Sequence, residues 1–349
     1  MIRENLPATI LGFLAAVGVF ALLFSFAGVD ELVSTLARAD PVYLGLIAAV
    51  TLAWLAAWSV SLNTVLHVLD VDVSYLSSFL VFSGATFSNN ITPFGQAGGE
   101  PVTAYLISRV ADAEYERSLA AIASVDTLNF VPSITIALVG AGYFASEVAL
   151  GTNENLLGAI GAVAALAVVV PTLIYVGWKR RYRLESRVIA ALTPVIRSVA
   201  DRVPRVPVPT PEGIEHRING FFRAIERIAS NPRGLAVALA ASTAGWLFQM
   251  VGLWLAFAAI GVDVRLSIAL VVVPIAAIAG VTPLPGGAGG IETVLVLLLL
   301  AAPLPQVTES TAVAAVVIFR GAVYWIPTAI GGFVVAWIGS GVGIRRSGP

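Results

Sequence analysis

In each half of this chain, an apolar stretch of membrane-spanning quality is interrupted by a run rich in glycine and proline. The two runs read almost alike: Thr92-Pro93-Phe94-Gly95-Gln96-Ala97-Gly98-Gly99-Glu100 and Thr282-Pro283-Leu284-Pro285-Gly286-Gly287-Ala288-Gly289-Gly290-Ile291-Glu292. Glycine has no Cβ to restrict it and proline has no N–H to donate, so both runs predict unwound backbone at membrane depth. Lipid cannot solvate such backbone. It survives where protein buries it or where it lines a watery cavity, and a matched pair of breaks is the sequence pointer to a transporter's binding site.

Composition sets the class. The chain is 58% hydrophobic and 12% charged, with mean hydropathy +0.90, whereas soluble domains carry about 25% charged residues. The reading is an all-α polytopic membrane protein with about six full spans plus two re-entrant broken-helix hairpins in an inverted repeat. It is taken as one transmembrane domain, 1–349. The first half covers about 42–146 and the second about 235–339, with a cytoplasmic amphipathic basic segment at 179–233. With no cysteine in the chain, disulfides, thiolate nucleophiles and thiolate metal sites are excluded.

The expected spans run over 6–27, 42–68, 118–144, 156–178, 235–260 and 310–338. The first is too long for the apolar core of a signal peptide and is read as retained. The hairpins cover 75–109 and 266–302. In the first, Glu100-Pro101 is expected to open the second arm, because proline is favoured in the first helical turn. Residues 179–233 hold twelve of the twenty basic side chains against five acids, which places that segment in the cytoplasm. Counting crossings then puts both termini in the cytoplasm of a protein of the plasma membrane. The first hairpin opens toward the cytoplasm and the second toward the other face.

The chemistry gathers at the breaks. A half-helix N-terminus carries roughly +0.5 of an elementary charge, so the loops leading through Gly98-Gly99 and Gly289-Gly290 offer free N–H groups to a phosphate or carboxylate. Gly95, Gly286 and Gly287 likewise let a head group approach the backbone closely. Glu100 and Glu292 have two open readings: each caps its half-helix, or each takes up a proton or cation that couples substrate movement to an ion gradient. Arg320 lies inside an apolar span beside Tyr324, where an unmatched charge costs about 2.5–3.5 kcal/mol. It suits a phosphate through its bidentate fork, or it forms an internal ion pair with Asp126 or Glu292. Asp126 with Asn129 is the matching polar spot in the first half. Asn89, Asn90, Thr92, Gln96 and Thr282 add uncharged donors and acceptors around the breaks, a role that helix-to-helix hydrogen bonding fills equally well.

Other motifs fail on context. Asp70-Val71-Asp72 sits in a short interhelical turn, and His67 and His216 lack metal-ligand spacing. No metal, cofactor, nucleic-acid partner or catalytic constellation is expected. The basic segment reads as two amphipathic helices around Pro204 to Pro211, the second presenting Ile214, Ile218, Phe221, Phe222, Ile225 and Ile228 on one face. Such helices lie on an anionic leaflet or act as plain topological anchors.

The two glycine-rich runs and Arg320-Gly321-Ala322-Val323-Tyr324-Trp325-Ile326-Pro327 resemble the flippase-like family, also called the lysylphosphatidylglycerol synthase transmembrane region. The likeness runs over nearly the whole chain in order. It implies a polytopic protein that moves or handles lipids, including aminoacylated phosphatidylglycerol and, in archaeal relatives, lipid-linked sugars. Two departures stand out. Members that make lysylphosphatidylglycerol carry a soluble transferase domain after the membrane part, which this chain lacks, so synthesis is not expected. The family's acid followed by arginine is here Asp126-Thr127. The expected function is a flippase-like lipid transporter that moves an anionic or polyprenyl-linked head group, with membrane lipids or a lipid-linked glycan as partners. The alternative is a non-transporting accessory protein that partners a membrane glycosyltransferase or lipid synthase. A membrane-embedded transferase is disfavoured for want of catalytic residues.

Overall fold

The computed structural model describes residues 6–92, 96–149, 211–281, 284–302 and 304–339, with Thr172, Val176 and Lys179. The expected span at 156–178, the first amphipathic helix of the basic segment, Pro93 to Gly95 and Thr282-Pro283 lie outside the described backbone. Among the described residues the chain is all helix. In order come α1 (Leu6–Ala27), α2 (Val29–Ala37), α3 (Pro41–Val68), α4 (Tyr75–Ile91), α5 (Gln96–Ala111), α6 (Tyr115–Ala149), α7 (Pro211–Ala229), α8 (Pro232–Ala259), α9 (Leu266–Ile278), α10 (Gly290–Ala301) and α11 (Glu309–Gly339). Short 3-10 turns at Ala279–Val281 and Pro285–Gly287 separate α9 from α10.

The long helices start where short polar side chains can satisfy free N–H groups. Asp40 accepts from Val42 N at 2.8 Å, Ser74 from Ser77 N at 3.1 Å, and Asn231 from Gly234 N at 2.9 Å. Pro41 and Pro232 follow their caps at the first helical position, where a missing N–H costs nothing. α3, α6, α8 and α11 are each long and apolar enough to cross a membrane. The segments on either side of Gly28 qualify as a fifth span only together, and they are bent by 89° there. Gly28 takes φ 77°, a conformation open to glycine and strained for other residues. α2 was not foreseen, although Asp30 and Glu31 in its first turn mark a helix start.

The bundle is organised about α3 and α8, which lie along one another. Trp58 of α3 donates its indole N–H to Ser242 O of α8 at 3.1 Å, and Trp246 of α8 donates to Asn129 O of α6 at 2.8 Å. The two rings meet edge to face with centroids 5.6 Å apart, an arrangement worth about 0.5–1.5 kcal/mol beyond the area it buries. Around this pair the contacts repeat when the halves exchange roles. α4 packs on α11 as α9 packs on α6, and α11 meets α3 as α6 meets α8. Even α2 against α11 has its counterpart in α7 against α6.

α7 departs from the expectation of a helix lying on lipid. Its apolar face turns to the bundle: Ala224 and Ile228 are buried in the core and Phe221 packs against it. Arg223 and Arg227 face outward. Arg227 Nη2 reaches Asp70 Oδ2 in the α3–α4 turn at 2.6 Å, an exposed pair worth about 0–1 kcal/mol. The packing of the apolar face therefore holds this helix.

The contact between α4 and α11 is among the closest in the fold, since a Cβ at Gly331 would lie 2.0 Å from Ser83 O. Backbone cannot step aside as a side-chain tip can. Gly331→Ala is expected to cost about 1–3 kcal/mol, read as a lower thermal midpoint in detergent. Gly45→Ala, with nothing within 4 Å, should leave the midpoint unchanged.

Candidate functional site

Both hairpins are broken, and the second break is the better defined. The chain leaves α9 through the first 3-10 turn and passes the second with Gly286 at φ 58° and Gly287 at φ 66°. It enters α10 from Gly289 at φ 88°. A Cβ on Gly287 would come 2.8 Å from Gly280 Cα, so the two turns are pressed together. Glu292, at the third position of α10, accepts from Gly289 N through Oε2 at 2.6 Å. Its other oxygen, Oε1, accepts from Arg320 Nε at 2.6 Å. The side chains of Arg320 and Glu292 are 12% and 3% exposed. Glu292 therefore does two jobs, capping the half-helix and neutralising the arginine. Of the two partners weighed for Arg320, the structure selects Glu292.

Arg320 also donates from Nη2 to Gly286 O at 3.4 Å, and its guanidinium lies 5.5 Å from the centre of the Tyr324 ring. Tyr324 carries the contact to the first break. Its hydroxyl donates to Asn90 O at 2.8 Å. Asn90, near the end of α4, returns Nδ2 to Tyr324 O at 3.2 Å and to Thr328 Oγ1 at 2.7 Å. A Cβ on Gly286 would fall 2.7 Å from the Tyr324 ring and 2.9 Å from Asn90 Cα. The two interrupted hairpins thus meet in one hydrogen-bonded knot against α11. Phe20 of α1 packs on Tyr324 and Ala288, and Val19 stands against Gly289.

The first break differs from expectation in its register. α5 begins at Gln96, so Gly98 and Gly99 are already helical, Glu100 is the fifth residue and Pro101 lies inside the helix. Glu100 is thus not a first-turn cap, and the free N-terminal amides belong to the residues from Gln96 onward. Gly98, the third helical residue, keeps its amide among these, while Gly99 serves close packing: a Cβ on Gly99 would lie 1.8 Å from Asn89 Oδ1 and 2.8 Å from Asn89 N. That contact allows α5 to start early, because its first turn is pinned against the end of α4. Thr92 turns its hydroxyl back to Ser88 O at 2.6 Å.

The remaining predicted residues form a second group. Asp126 and Asn129 are 7% and 3% exposed on α6, and Glu100 lies on α5, which packs against α6. Asn129 Oδ1 accepts from Ser242 Oγ at 2.6 Å. Gly290 opens α10. Gly95 and Thr282 lie outside the described residues, as does the side chain of Gln96. Thr328 was not singled out from sequence; it is four residues from Tyr324 on the same helical face, so a search outward from Tyr324 would have found it.

Residues 9–331 match the model of the lysylphosphatidylglycerol synthase TM region family. The chain is also similar to two UPF0104 membrane proteins of Methanothermobacter thermautotrophicus. One is 24% identical, covering 94% of this chain and 96% of that protein, and the other 26% identical, covering 95% and 93%. A UPF0104 membrane protein of Pyrococcus horikoshii is 24% identical, covering 90% and 92%.

Removing one partner of a buried pair leaves the other charge uncompensated, at a cost of about 3–5 kcal/mol. Glu292→Ala is expected to show that loss in thermal unfolding. The double variant Glu292→Leu with Arg320→Met should recover most of it, since neither charge is then stranded.

Proposed function

We propose, for a chain that belongs to the lysylphosphatidylglycerol synthase TM region family and is an integral membrane protein, that it moves an anionic or polyprenyl-linked lipid head group across the membrane. The observation that carries this reading is the meeting of the two helix breaks at Tyr324, where Asn90 of the first hairpin and Gly286 of the second lie against α11 beside Arg320. The end of α4 and the turns of the second break are thereby gathered at one polar spot inside an apolar bundle, the arrangement in which transporters place a substrate.

A head group entering there meets Arg320 already paired. Its phosphate displaces Glu292 from the guanidinium and takes the bidentate fork, while the amide of Gly289 loses its carboxylate cap and becomes free for an anion. The arginine stays neutralised throughout, and the displaced Glu292 takes up a proton, so that no unpaired carboxylate is left buried. Acyl chains remain in the bilayer. Transfer follows when the bonds between Asn90, Tyr324 and Thr328 part and the halves rock about the α3–α8 contact. In this reading the halves are inverted in the membrane. Both termini and the basic segment at 179–233 lie on the cytoplasmic side of the plasma membrane, following the positive charge.

The second reading is a non-transporting accessory protein for a membrane glycosyltransferase or lipid synthase. It is favoured by the completeness of the Arg320–Glu292–Gly289 arrangement, which needs no ligand to satisfy its charges. The two readings separate in vesicles that hold labelled phosphatidylglycerol or a labelled polyprenyl phosphate in one leaflet. The purified chain is expected to redistribute at least one of them. Arg320→Lys, which keeps the charge but loses the fork, should slow this about tenfold, equivalent to about 1.4 kcal/mol. Redistribution of both lipids no faster than in protein-free vesicles would reject transport and leave the accessory role.

A further inference from the structure

Arg320 and Glu292 form a pair that is electrically closed. Oε1 of Glu292 accepts from Arg320 Nε and Oε2 from Gly289 N, each at 2.6 Å, so both oxygens are committed. The elements packed around the carboxylate bring no further charge to it. Among the described residues, α1, α9 and both 3-10 turns contain no titratable side chain, and Glu292 is the one on α10. α4, which meets the second turn, carries Tyr75 at its far end. α11 adds Arg320 itself, Tyr324, whose hydroxyl is donated to Asn90 O, and Glu309 in its first turn, about three helical turns before Arg320. The pair therefore carries no net charge, and nothing beside it offsets a change.

A phosphodiester head group brings one negative charge, and its phosphate has only acceptors. An ionised carboxylate is acceptor-only as well. Beside the phosphate it would face another acceptor, and the site would hold an uncompensated negative charge among apolar helices. A protonated carboxyl has a donor. It can hydrogen-bond the phosphate that displaced it, and the site is neutral again: arginine positive, phosphate negative, Glu292 uncharged. The geometry also gives the proton a side to arrive from. The Arg320 side chain is 12% exposed against 3% for Glu292, so the pair is open at the guanidinium, where a hydrated head group would enter.

Resting on the translocation reading, we propose that Glu292 is the coupling group of an electroneutral symport, in which one proton is bound from water and carried with each singly charged phosphate head group. The proton returns to water on the other side, when the lipid leaves and the carboxylate re-forms its bonds to Arg320 and Gly289. Empty and loaded sites are then both neutral, and either can move within the bundle without stranding a charge. A pH gradient drives the lipid, and the membrane potential does not act on the loaded site. Capping and coupling thus belong to the two protonation states of one side chain.

Binding to the purified full chain in detergent tests the coupling before any transport. Short-chain phosphatidylglycerol is the probe, because its phosphodiester lacks the second proton that a phosphomonoester releases at a pKa of about 6. Its affinity should rise about tenfold for each unit by which the pH falls, with one proton taken from a weakly buffered solution per lipid bound. Glu292→Gln, which keeps a carbonyl acceptor for Gly289 N, should bind with neither pH dependence nor proton uptake; should it not fold, the wild-type proton count decides. Binding by the wild type without a proton would overturn the coupling and leave the lipid site, while no binding of this lipid or of a short-chain polyprenyl phosphate would remove both. In vesicles, a pH gradient that is acid on the side of the labelled lipid should speed redistribution, and an imposed potential of either sign should not. Acceleration by the potential would overturn electroneutrality. A lipid that binds with its proton and never crosses would reject the translocation reading, and the symport with it.

Discussion

Arg320 is 12% exposed within an apolar bundle, and an arginine there is tolerable only with an anion beside it. Glu292 supplies that anion, and the same carboxylate holds Gly289 N at the start of α10. One side chain therefore meets two demands: the charge on α11 and the unpaired amide of a helix that begins within the packed bundle. With the pair in place, α10 can start among buried apolar residues. Without it, both the break and the arginine would be liabilities.

Close backbone approach is the second constraint, and it explains where the glycines are needed. Gly286 gives way to the Tyr324 ring and Asn90, Gly99 to Asn89, Gly331 to Ser83 and Gly245 to the Trp58 indole. Each removes a Cβ at a crossing where helices or turns are pressed together, as helix packing in membranes favours. The hydrogen bonds among Asn90, Tyr324 and Thr328 then fix the two breaks against one another. Closeness comes first here, and the polar contacts follow from it.

The halves share a pattern of packing and differ in their electrostatics. Contacts repeat when α3 and α8 exchange roles. The acid of the second half is paired with arginine, while Asp126 Oδ2 of the first half is buried without a hydrogen-bond partner.

Much was legible because membrane chemistry is severe. Apolar runs of span length and the two glycine-rich breaks determined the helical class, the main spans and the two interrupted helix pairs. The boundaries of α3, α8 and α11 fall within a few residues of those expected, since caps and prolines act locally. Three matters needed the tertiary structure. The start of α5 at Gln96 depends on its contact with Asn89, a neighbour outside its own turn. The docking of α7 depends on a complementary face on α6, although its own apolar stripe was plain in the sequence. The choice of Glu292 over Asp126 as partner of Arg320 depends on which helices lie side by side. Sequence fixes what each residue needs, through solvation, backbone freedom and helical period; which neighbour meets that need is decided by packing between segments distant in the chain.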